Sequence, residues 1–519
     1  MTLSDEILPL LSPTIERESP SQQHSNPRES FEVGFPLVVA DDPTVQAIVL
    51  ESKRGIFESF CQYIGRNCAV PFTLLMSAIG AGTLAVPYTF VLVTPLQAFF
   101  VLCGVGTAMA FTANTLVEIH VVVATASLYK DQSYRSTYQY LAKLAGGTLL
   151  AQGAGALTAF AVFGACVGCV CVVKDMAPLM LSAISNAFNQ SSFKDQQHAV
   201  VIVVWLTMLL VLLPLGCLPK ISALRFSSYF GVAFSVYLVG AVAYRALLGS
   251  IAINGHTDPS MSDTAIHAPL FWRISEVVGI YNFTFMLHLN VLPLLAQLVS
   301  TDLLRKHENI EENIVKCSGT EGRVRSLSRS RQNMQQYVTL SVGACIALYA
   351  VFGICAAHIY GYQTHGNILL NLSNDPIMVV PRVAILLTIL LSFPLLFYPL
   401  RSLVLEMYVS CFMRSNTNED SIEQKEGIPS RSIHAIVTIL LLIAQVLGAL
   451  QVPGLQVVFS FVGASILWIL CYLFPLLFYV RLTSWRSSRK SIARMVLLSI
   501  VAVTASVFCI AATLQLVQD

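Results

Sequence analysis

The sequence predicts an all-helical polytopic membrane protein with eleven transmembrane helices. The chain of 519 residues is 55% hydrophobic and only 12% charged, whereas about 25% of the residues of a soluble globular domain are charged. From residue 68 onward, apolar segments near the length of about 20 residues that crosses a bilayer follow one another, separated by short polar connections. The chain is therefore expected to be integral to a lipid bilayer.

The eleven predicted spans make up a transmembrane domain over residues 67–519. Their boundaries follow from the apolar segments alone and carry errors of a few residues. In chain order, the predicted spans are 69–92, 95–123, 149–173, 198–218, 228–248, 273–299, 336–360, 379–404, 431–451, 455–480 and 495–516.

Residues 1–66 differ from the rest of the chain. They are rich in Ser, Pro, Gln and Glu and show no sustained apolar period, which predicts a disordered tail. Within it, Glu6, Leu10 and Leu11 match an acidic dileucine sorting signal, which would direct the protein to an endosomal, lysosomal or vacuolar membrane. The plasma membrane is the alternative destination.

The distribution of Lys and Arg predicts the orientation of the chain. The loops 300–335 and 481–494 are basic, whereas the loops 249–272 and 361–378 contain neither Lys nor Arg. Since cytoplasmic loops carry the excess of positive charge, the amino terminus is expected in the cytoplasm. The glycosylation sequons at Asn189 and Asn371 then fall on the extracytosolic side, where glycosylation takes place.

Composition also argues against several function classes. A net charge of +2 indicates no nucleic-acid partner. The 13 cysteines are mostly scattered through apolar segments without zinc-site spacing, so no structural metal is predicted. With no nucleotide-binding glycine loop and no nucleophile motif, no enzyme activity and no cofactor are expected. The sequence leaves the oligomeric state open.

The first span contains residues that disfavour a continuous helix. Gly80, Gly82 and Pro87 lie within its apolar length, where a helix would prefer Ala or Leu. Non-helical backbone inside a bilayer is tolerated where it is buried in protein or lines a watery cavity, such as the substrate site of a transporter. A glycine-rich packing face is the alternative interpretation.

A second interruption is predicted in the sixth span, around residues 279–293. Its polar residues Asn282, Thr284, His288 and Asn290 require partners or a cavity, and Pro293 removes a backbone hydrogen bond in the same region. Broken helices five spans apart are typical of an inverted repeat, here over 69–248 and 273–480, followed by an eleventh helix over 495–516.

In such repeats the ends of the broken helices meet near the midplane and bind substrate and coupling ion. Helix N–H groups favour a carboxylate, and exposed carbonyls accept hydrogen bonds from an ammonium group. These two preferences together suit an amino acid.

Several segments resemble the amino acid/auxin permease family, and in particular its sodium-coupled neutral amino acid transporters. In the sixth span the resemblance lies in Phe283-Thr284-Phe285, His288 and Leu292-Pro293. The first, eighth and tenth spans add Gly80-Ala81-Gly82-Thr83-Leu84, the run from Ser392 to Arg401, Phe461-Val462-Gly463-Ala464-Ser465 and the run from Phe474 to Tyr479. The resemblance implies a LeuT-type fold with a 5+5 inverted repeat, and secondary active transport of amino acids.

The candidate substrate site combines both interruptions. The backbone of Gly80, Ala81, Gly82 and Thr83 is the candidate for the substrate carboxylate, and the stretch at Asn282, Phe283 and Thr284 is the candidate for its amine. Neither broken segment carries an acidic residue within a turn. Neutral amino acids are therefore the expected substrates, because a cationic side chain would need a nearby carboxylate.

The coupling ion is expected to be a proton or sodium. Sodium-coupled members of the family carry an Asn four positions before the first motif glycine, but this chain has Met76 there, and a thioether is a poor ligand for a hard cation. Ser392 matches a hydroxyl that the family uses for sodium. His288 is a candidate for a proton, and the alternative is a histidine held by interior hydrogen bonds. Glu276 and Glu118 are further candidates, and the alternative for both is a position near the membrane boundary. The full set of preferred ion-coupling candidates is Ser77, Thr388, Ser392 and His288.

Two other functions compete with transport. The same fold could bind an amino acid and signal through the cytoplasmic tail, which would make the protein a sensor. A channel is disfavoured because no ring of charged residues and no selectivity-filter motif is visible.

Overall fold

The computed structural model describes residues 69–129, 137–187, 196–216, 225–249, 268–310, 320–409 and 431–518. Within these ranges, eleven helices are long and apolar enough to cross a membrane, which confirms the predicted fold class. The tail 1–66 with its dileucine-like segment and the sequon at Asn189 lie outside the described residues.

The spans are numbered 1 to 11 in chain order. They are Val70–Leu92, Pro95–Leu128, Tyr138–Ser182, His198–Gly216, Tyr229–Leu247, Leu270–Ser300, Gly322–Gln363, Val379–Tyr408, Ser432–Gln451, Leu455–Leu482 and Arg489–Gln518. Span 7 begins well before its apolar segment, because the Ser-, Arg- and Gln-rich residues before 336 continue the helix. Hydropathy locates the part of a helix that fits the bilayer, not the point where the helix begins.

Span 3 includes a short preceding helix that the apolar pattern did not predict. The helix that begins at Tyr138 is interrupted at Gly146 and Gly147, where Gly147 has φ 80° and ψ −168°. This backbone conformation is accessible essentially to glycine alone. The Tyr138 hydroxyl anchors the short helix by donating a hydrogen bond of 2.5 Å to the carbonyl of Leu470 in span 10.

Span 1 is interrupted as predicted. An α-helix over Ala69–Ala78 ends, a 3-10 helix follows over Ala81–Ala85, and a second α-helix runs over Val86–Leu92. Gly80 is extended, with φ −106° and ψ −156°. Pro87 lies in the first turn of the second α-helix, where its missing N–H costs no hydrogen bond.

Span 6 is also interrupted as predicted. One helix runs over Leu270–Thr284 and the next over His288–Ile310, so the turn between them contains Phe285, Met286 and Leu287. Asn282 and Thr284 therefore lie in the last turn of the first half and not in the turn itself. The turn lies inside the predicted region 279–293, and Pro293 is accommodated within the second half of the span.

Spans 4 and 10 contain irregularities that the sequence analysis missed. π-helical segments occur at Met208–Leu212 in span 4, and at Gly463–Leu467 and Ile469–Leu473 in span 10. Span 10 crosses span 6 closely, since a Cβ atom added to Gly463 would overlap the Gly279 carbonyl oxygen. A π segment adds a residue to a helical turn, so the side chains that follow it point in a different direction from those of a regular α-helix. Such segments are frequent at functional sites.

The spans differ in how deeply they lie within the bundle. Within the most apolar 18-residue stretch of each span, the buried share is 72% in spans 1 and 3 and 61% in span 10. It is only 22% in span 4 and 28% in spans 9 and 11. Exposed apolar side chains such as Leu210, Leu440 and Val503 cover the outer spans. The first group thus forms the interior of the bundle, and the second presents its apolar surface to lipid.

Candidate functional site

The interruptions of spans 1 and 6 contact each other. The Thr284 hydroxyl lies 3.5 Å from the Gly82 carbonyl oxygen. A Cβ atom at Gly82 would lie 3.1 Å from the Thr284 Cα and 3.2 Å from the Phe283 ring, a distance at which a neighbour has to move. The absence of a side chain at residue 82 is therefore what allows the two broken helices to approach.

Gly80 has a different environment. It is exposed, and a Cβ atom built on it would have no atom within 4 Å. Ala81 and Gly82 follow at the start of the 3-10 segment, where N–H groups have no partner within the helix. The backbone of the candidate carboxylate site thus borders open space on one side and span 6 on the other.

Thr83, the last member of the predicted carboxylate set, contacts span 7. Its hydroxyl lies 3.4 Å from the hydroxyl of Tyr349, which in turn donates a hydrogen bond of 2.8 Å to the Ala78 carbonyl. The sequence analysis missed Tyr349. A tyrosine in the middle of an otherwise apolar span was the available signal, because a buried phenol needs a hydrogen-bond partner.

Asn282 has a structural role in this conformation. Its side chain is buried, its amide nitrogen lies 3.1 Å from Cys509 Sγ, and its amide oxygen accepts a hydrogen bond of 2.8 Å from the Tyr472 hydroxyl. Both ends of the amide are thus engaged by spans 10 and 11. The side chain is directed away from the contact between spans 1 and 6.

Phe283 forms an aromatic wall beside that contact. Its ring stacks on Phe459 of span 10 with a centroid distance of 4.1 Å and an interplanar angle of 14°. Phe459 also packs against Gly168 of span 3, where an added Cβ atom would lie 2.5 Å from the ring. The Thr284 hydroxyl bonds within its own helix, donating a hydrogen bond of 2.8 Å to the Ile280 carbonyl in the last turn.

The ion-coupling candidates of spans 1 and 8 donate hydrogen bonds to their own helices. The Ser77 hydroxyl donates to the Leu74 carbonyl at 2.8 Å, and the Thr388 hydroxyl donates to the Ala384 carbonyl at 2.9 Å. The Ser392 hydroxyl donates to the Thr388 carbonyl at 2.6 Å. Such bonds within a helix are usual for hydroxyl side chains in apolar surroundings.

Met76 and Thr388 meet at Gly231 of span 5. A Cβ atom on Gly231 would overlap the Met76 thioether and would lie 3.1 Å from the Thr388 methyl carbon. A thioether and a methyl group therefore face the junction of spans 1, 5 and 8. Neither group is a ligand that a hard cation prefers.

His288 begins the second half of span 6. The ring is buried, and its Nε2 atom lies 2.9 Å from the Thr112 hydroxyl of span 2. Its Nδ1 atom has no hydrogen-bond partner among the residues that the structure describes. Over the same ranges, no group of three or more His, Cys, Asp and Glu residues is arranged to hold a metal ion.

The two carboxylates considered for ion coupling lie away from the interruptions. Glu118 forms an ion pair with Arg494 of span 11. Glu276 lies two turns before the break in span 6, and its Oε1 atom is 3.5 Å from the Tyr88 hydroxyl. Glu118 already has a cationic partner, which agrees with a structural role.

Eleven spans with interrupted first and sixth helices that meet inside the bundle define a helical membrane protein with a LeuT-type fold. One structural comparison supports this assignment. MhsT, solved in complex with L-phenylalanine, matches 86% of this chain and 98% of its own length with a TM-score of 0.50. The sequence identity is 11%, so this similarity shows the fold alone.

The family follows from sequence. Residues 68–307 and 322–518 match the model of the transmembrane amino acid transporter protein family, and the chain belongs to this family. Amino acid transporter AVT6E of Arabidopsis thaliana is 24% identical over 486 residues, which cover 90% of this chain and 85% of the relative. Sodium-coupled neutral amino acid transporter 7 of Xenopus laevis is 22% identical over 396 residues, 76% of each chain.

These matches confirm the resemblance that the motifs indicated. Family and fold are those of transporters and not of enzymes. The sensor hypothesis gains no support from them.

Proposed function

We propose that the protein moves neutral amino acids across its membrane by alternating access, with the substrate bound where the interruptions of spans 1 and 6 meet. The observation that carries this proposal is the approach of Gly82 to Thr284 and Phe283 beside the open space at Gly80. Backbone at the ends of helical segments from two spans is thus available at one place. Membership of an amino acid transporter family supports the same substrate class.

The proposed binding roles follow from the polarity of the backbone. The N–H groups of Ala81 and Gly82 receive the substrate carboxylate, because the start of a helical segment favours negative charge. The N–H groups of Gly80 and Thr83 donate to the carbonyls of Ala78 and Gly80 at 2.9 and 3.1 Å, so these two residues shape the backbone around that position. Carbonyls of the last turn of the first half of span 6, at Asn282, Phe283 and Thr284, receive the ammonium group. The stacked rings of Phe283 and Phe459 bound the space for the substrate side chain.

Two arguments support amino acids with neutral side chains as the substrates. Neither interruption carries an acidic residue within a turn, and the described carboxylates Glu118 and Glu276 have partners elsewhere. One relative is named as a sodium-coupled neutral amino acid transporter. A cationic substrate would leave an uncompensated charge in the bundle.

We propose that transport does not use a sodium ion bound between spans 1 and 8. The Met76 thioether and the Thr388 methyl group face that junction, and neither replaces an oxygen ligand. Coupling to a proton, or exchange of one amino acid for another, is the corresponding mechanism. His288 is the proton-coupling candidate, with a buried ring beside Thr112.

The substrate site is tested with Gly82→Leu in proteoliposomes. A side chain at residue 82 meets Thr284 and Phe283, so we expect uptake across a panel of neutral amino acids to fall to background. Gly240→Leu in span 5 is the matched control, because a Cβ atom there has no atom within 4 Å.

Both variants should elute from size-exclusion chromatography as the wild-type protein does. Uptake by folded Gly82→Leu at the rate of Gly240→Leu would refute the proposed site.

A further inference from the structure

We infer that Tyr349 is a positioning residue that holds the interruptions of spans 1 and 6 in their substrate-binding geometry; this inference rests on the proposed function. Tyr349 lies in span 7, between residues that are almost all apolar, and its side chain is fully buried. Burial of a phenol without hydrogen-bond partners is unfavourable. Its partners are therefore informative.

The Tyr349 hydroxyl joins the two sides of the interruption in span 1. It donates to the carbonyl of Ala78, the last residue of the first α-helix, at 2.8 Å. It also lies 3.4 Å from the hydroxyl of Thr83, which belongs to the 3-10 segment after the interruption. Gly80, Ala81 and Gly82 thus form a short backbone segment whose two ends are both tied to one side chain.

The ring of Tyr349 reaches the interruption in span 6. It meets the ring of Phe285, the first residue of the turn, edge to face with a centroid distance of 5.6 Å and an interplanar angle of 65°. Phe285 is fully buried as well. One residue of span 7 therefore contacts both ends of the interruption in span 1 and the turn that interrupts span 6.

The hydroxyl adds a second hydrogen bond to a carbonyl at the edge of the interruption, since the Ala78 carbonyl also accepts one of 2.9 Å from the Gly80 N–H. The last carbonyls of a helix have no intrahelical donor, and in a dry interior an unsatisfied carbonyl is costly. Without the Tyr349 hydroxyl, only the weak turn from Gly80 N–H to the Ala78 carbonyl would remain, and neither Ala78 nor Thr83 would be tied to span 7 through this side chain. The backbone groups proposed for the substrate carboxylate would then lose their alignment, while the helices themselves would persist.

The test compares Tyr349→Phe with Tyr281→Phe. Tyr281 is an equally buried tyrosine whose hydroxyl contacts the Thr89 hydroxyl at 2.7 Å and the Ala98 carbonyl at 3.4 Å, in helical turns outside the two interruptions. Uptake is measured against amino acid concentration in proteoliposomes, and the Tm of each purified variant is recorded. We expect the KM of Tyr349→Phe to rise about tenfold, as loss of one hydrogen bond to a buried group produces. The KM of Tyr281→Phe should equal that of the wild type.

Three results would overturn the inference. The first is a wild-type KM in folded Tyr349→Phe, and the second is an equal rise in KM in Tyr281→Phe. The third is a rise in the KM of Tyr349→Phe together with a fall in Tm that is equally large in Tyr281→Phe, because general destabilisation would then explain the change. If Tyr349→Phe does not fold, Thr83→Val removes the second contact of the same hydroxyl. An unchanged KM in Thr83→Val would then count against the inference.

The experiment also separates this inference from the proposed function. A wild-type protein that moves no amino acid refutes the proposed function. Binding is then measured as the amino acid concentration that gives half of the maximal rise in Tm. Equal values for the wild type and Tyr349→Phe would overturn the positioning role, and no rise in the wild type would overturn both proposals.

Discussion

Residue 76 shows how one side chain bears on the choice of coupling ion. The sequence-based comparison places Met76 where sodium-coupled members of the family have an Asn. The structure adds that the thioether faces Gly231 of span 5 beside the methyl group of Thr388. The junction is thus lined by apolar atoms, although hydroxyl oxygens of Ser77 and Ser392 belong to the same two helices.

Restoring an oxygen at residue 76 should change the ion dependence. We expect amino acid uptake by Met76→Asn to become stimulated by sodium, because an amide oxygen is a suitable ligand for a hard cation. Met76→Leu is the control of similar size without an oxygen, and its uptake should stay indifferent to sodium. The measurement is initial uptake into proteoliposomes in sodium and in choline buffer at fixed pH. Identical sodium responses of the two variants would refute this assignment.

Asn282 illustrates the limit of inference from a single polar residue. A lone Asn in an apolar span predicts either a cavity or hydrogen-bond partners. The structure supplies the partners, namely Tyr472 and Cys509 on two other spans. Sequence could not distinguish these cases, because both partners are about 200 residues away along the chain.

At the scale of elements, the segment after span 7 is attached to several helices. This segment contains the short helix Ile368–Asn371. Its Asp375 forms an ion pair of 2.6 Å with Arg245 at the end of span 5, and the amide nitrogen of Asn367 donates a hydrogen bond of 3.1 Å to Asp175 of span 3. Rearrangement of this segment relative to spans 3 and 5 would have to break both contacts.

The ion pair is expected to stabilise the folded bundle. The side chains of Arg245 and Asp375 are 18% and 6% exposed, so Arg245→Gln leaves a carboxylate buried without its partner. We expect a loss of roughly 3 kcal/mol in the free energy of unfolding, seen as a lower Tm in detergent. Asp375→Asn combined with Arg245→Gln should recover part of the loss. A Tm of Arg245→Gln equal to that of the wild type would contradict a stabilising pair.

Asn371 belongs to the same segment and stays a predicted glycosylation site. Its amide nitrogen donates to the Gln363 carbonyl at 2.7 Å, and its amide oxygen accepts from the His365 backbone N–H at 2.8 Å. The unmodified side chain therefore orders the segment.

For the whole molecule, the uneven burial of the spans separates an interior group from a lipid-facing group. Spans 1, 3 and 10 are the most buried, and the candidate site lies at the contact of spans 1 and 6 with span 10 alongside. Alternating access then requires the broken helices to move against the surrounding spans. A proton gradient can drive such a cycle when a titratable group in the moving helices binds a proton on one side of the membrane and releases it on the other.

Imposed gradients test this at the scale of the whole cycle. We expect wild-type uptake to continue when sodium is replaced by choline, and to slow as the external pH rises if a proton drives it. Uptake that persists with neither gradient, and that accelerates when the vesicles contain amino acid, would indicate exchange. Loss of uptake on sodium replacement at fixed pH would show that sodium binds in spite of Met76.

Much of the architecture could be predicted from the amino-acid order. Eleven spans and the interruptions near Gly80 and in span 6 followed from local composition, because apolar length, Gly, and buried polar residues act through nearby backbone. The π segments of span 10 could not be predicted, since no local residue signal marks them. The break in span 6 lies at residues 285–287, inside the predicted region 279–293 and directly after the stretch 282–284 that was expected to be unwound.

By itself, the sequence determined that this chain is a helical membrane protein with broken first and sixth spans, and that residue 76 lacks the family's sodium ligand. Only the tertiary structure decided which polar groups face one another. It placed Thr284 against Gly82, Tyr349 across the interruption in span 1, and Asn282 among structural partners. The physical reason is that the order of residues determines helix formation and burial through short-range forces. Contacts between distant residues depend on how the helices pack.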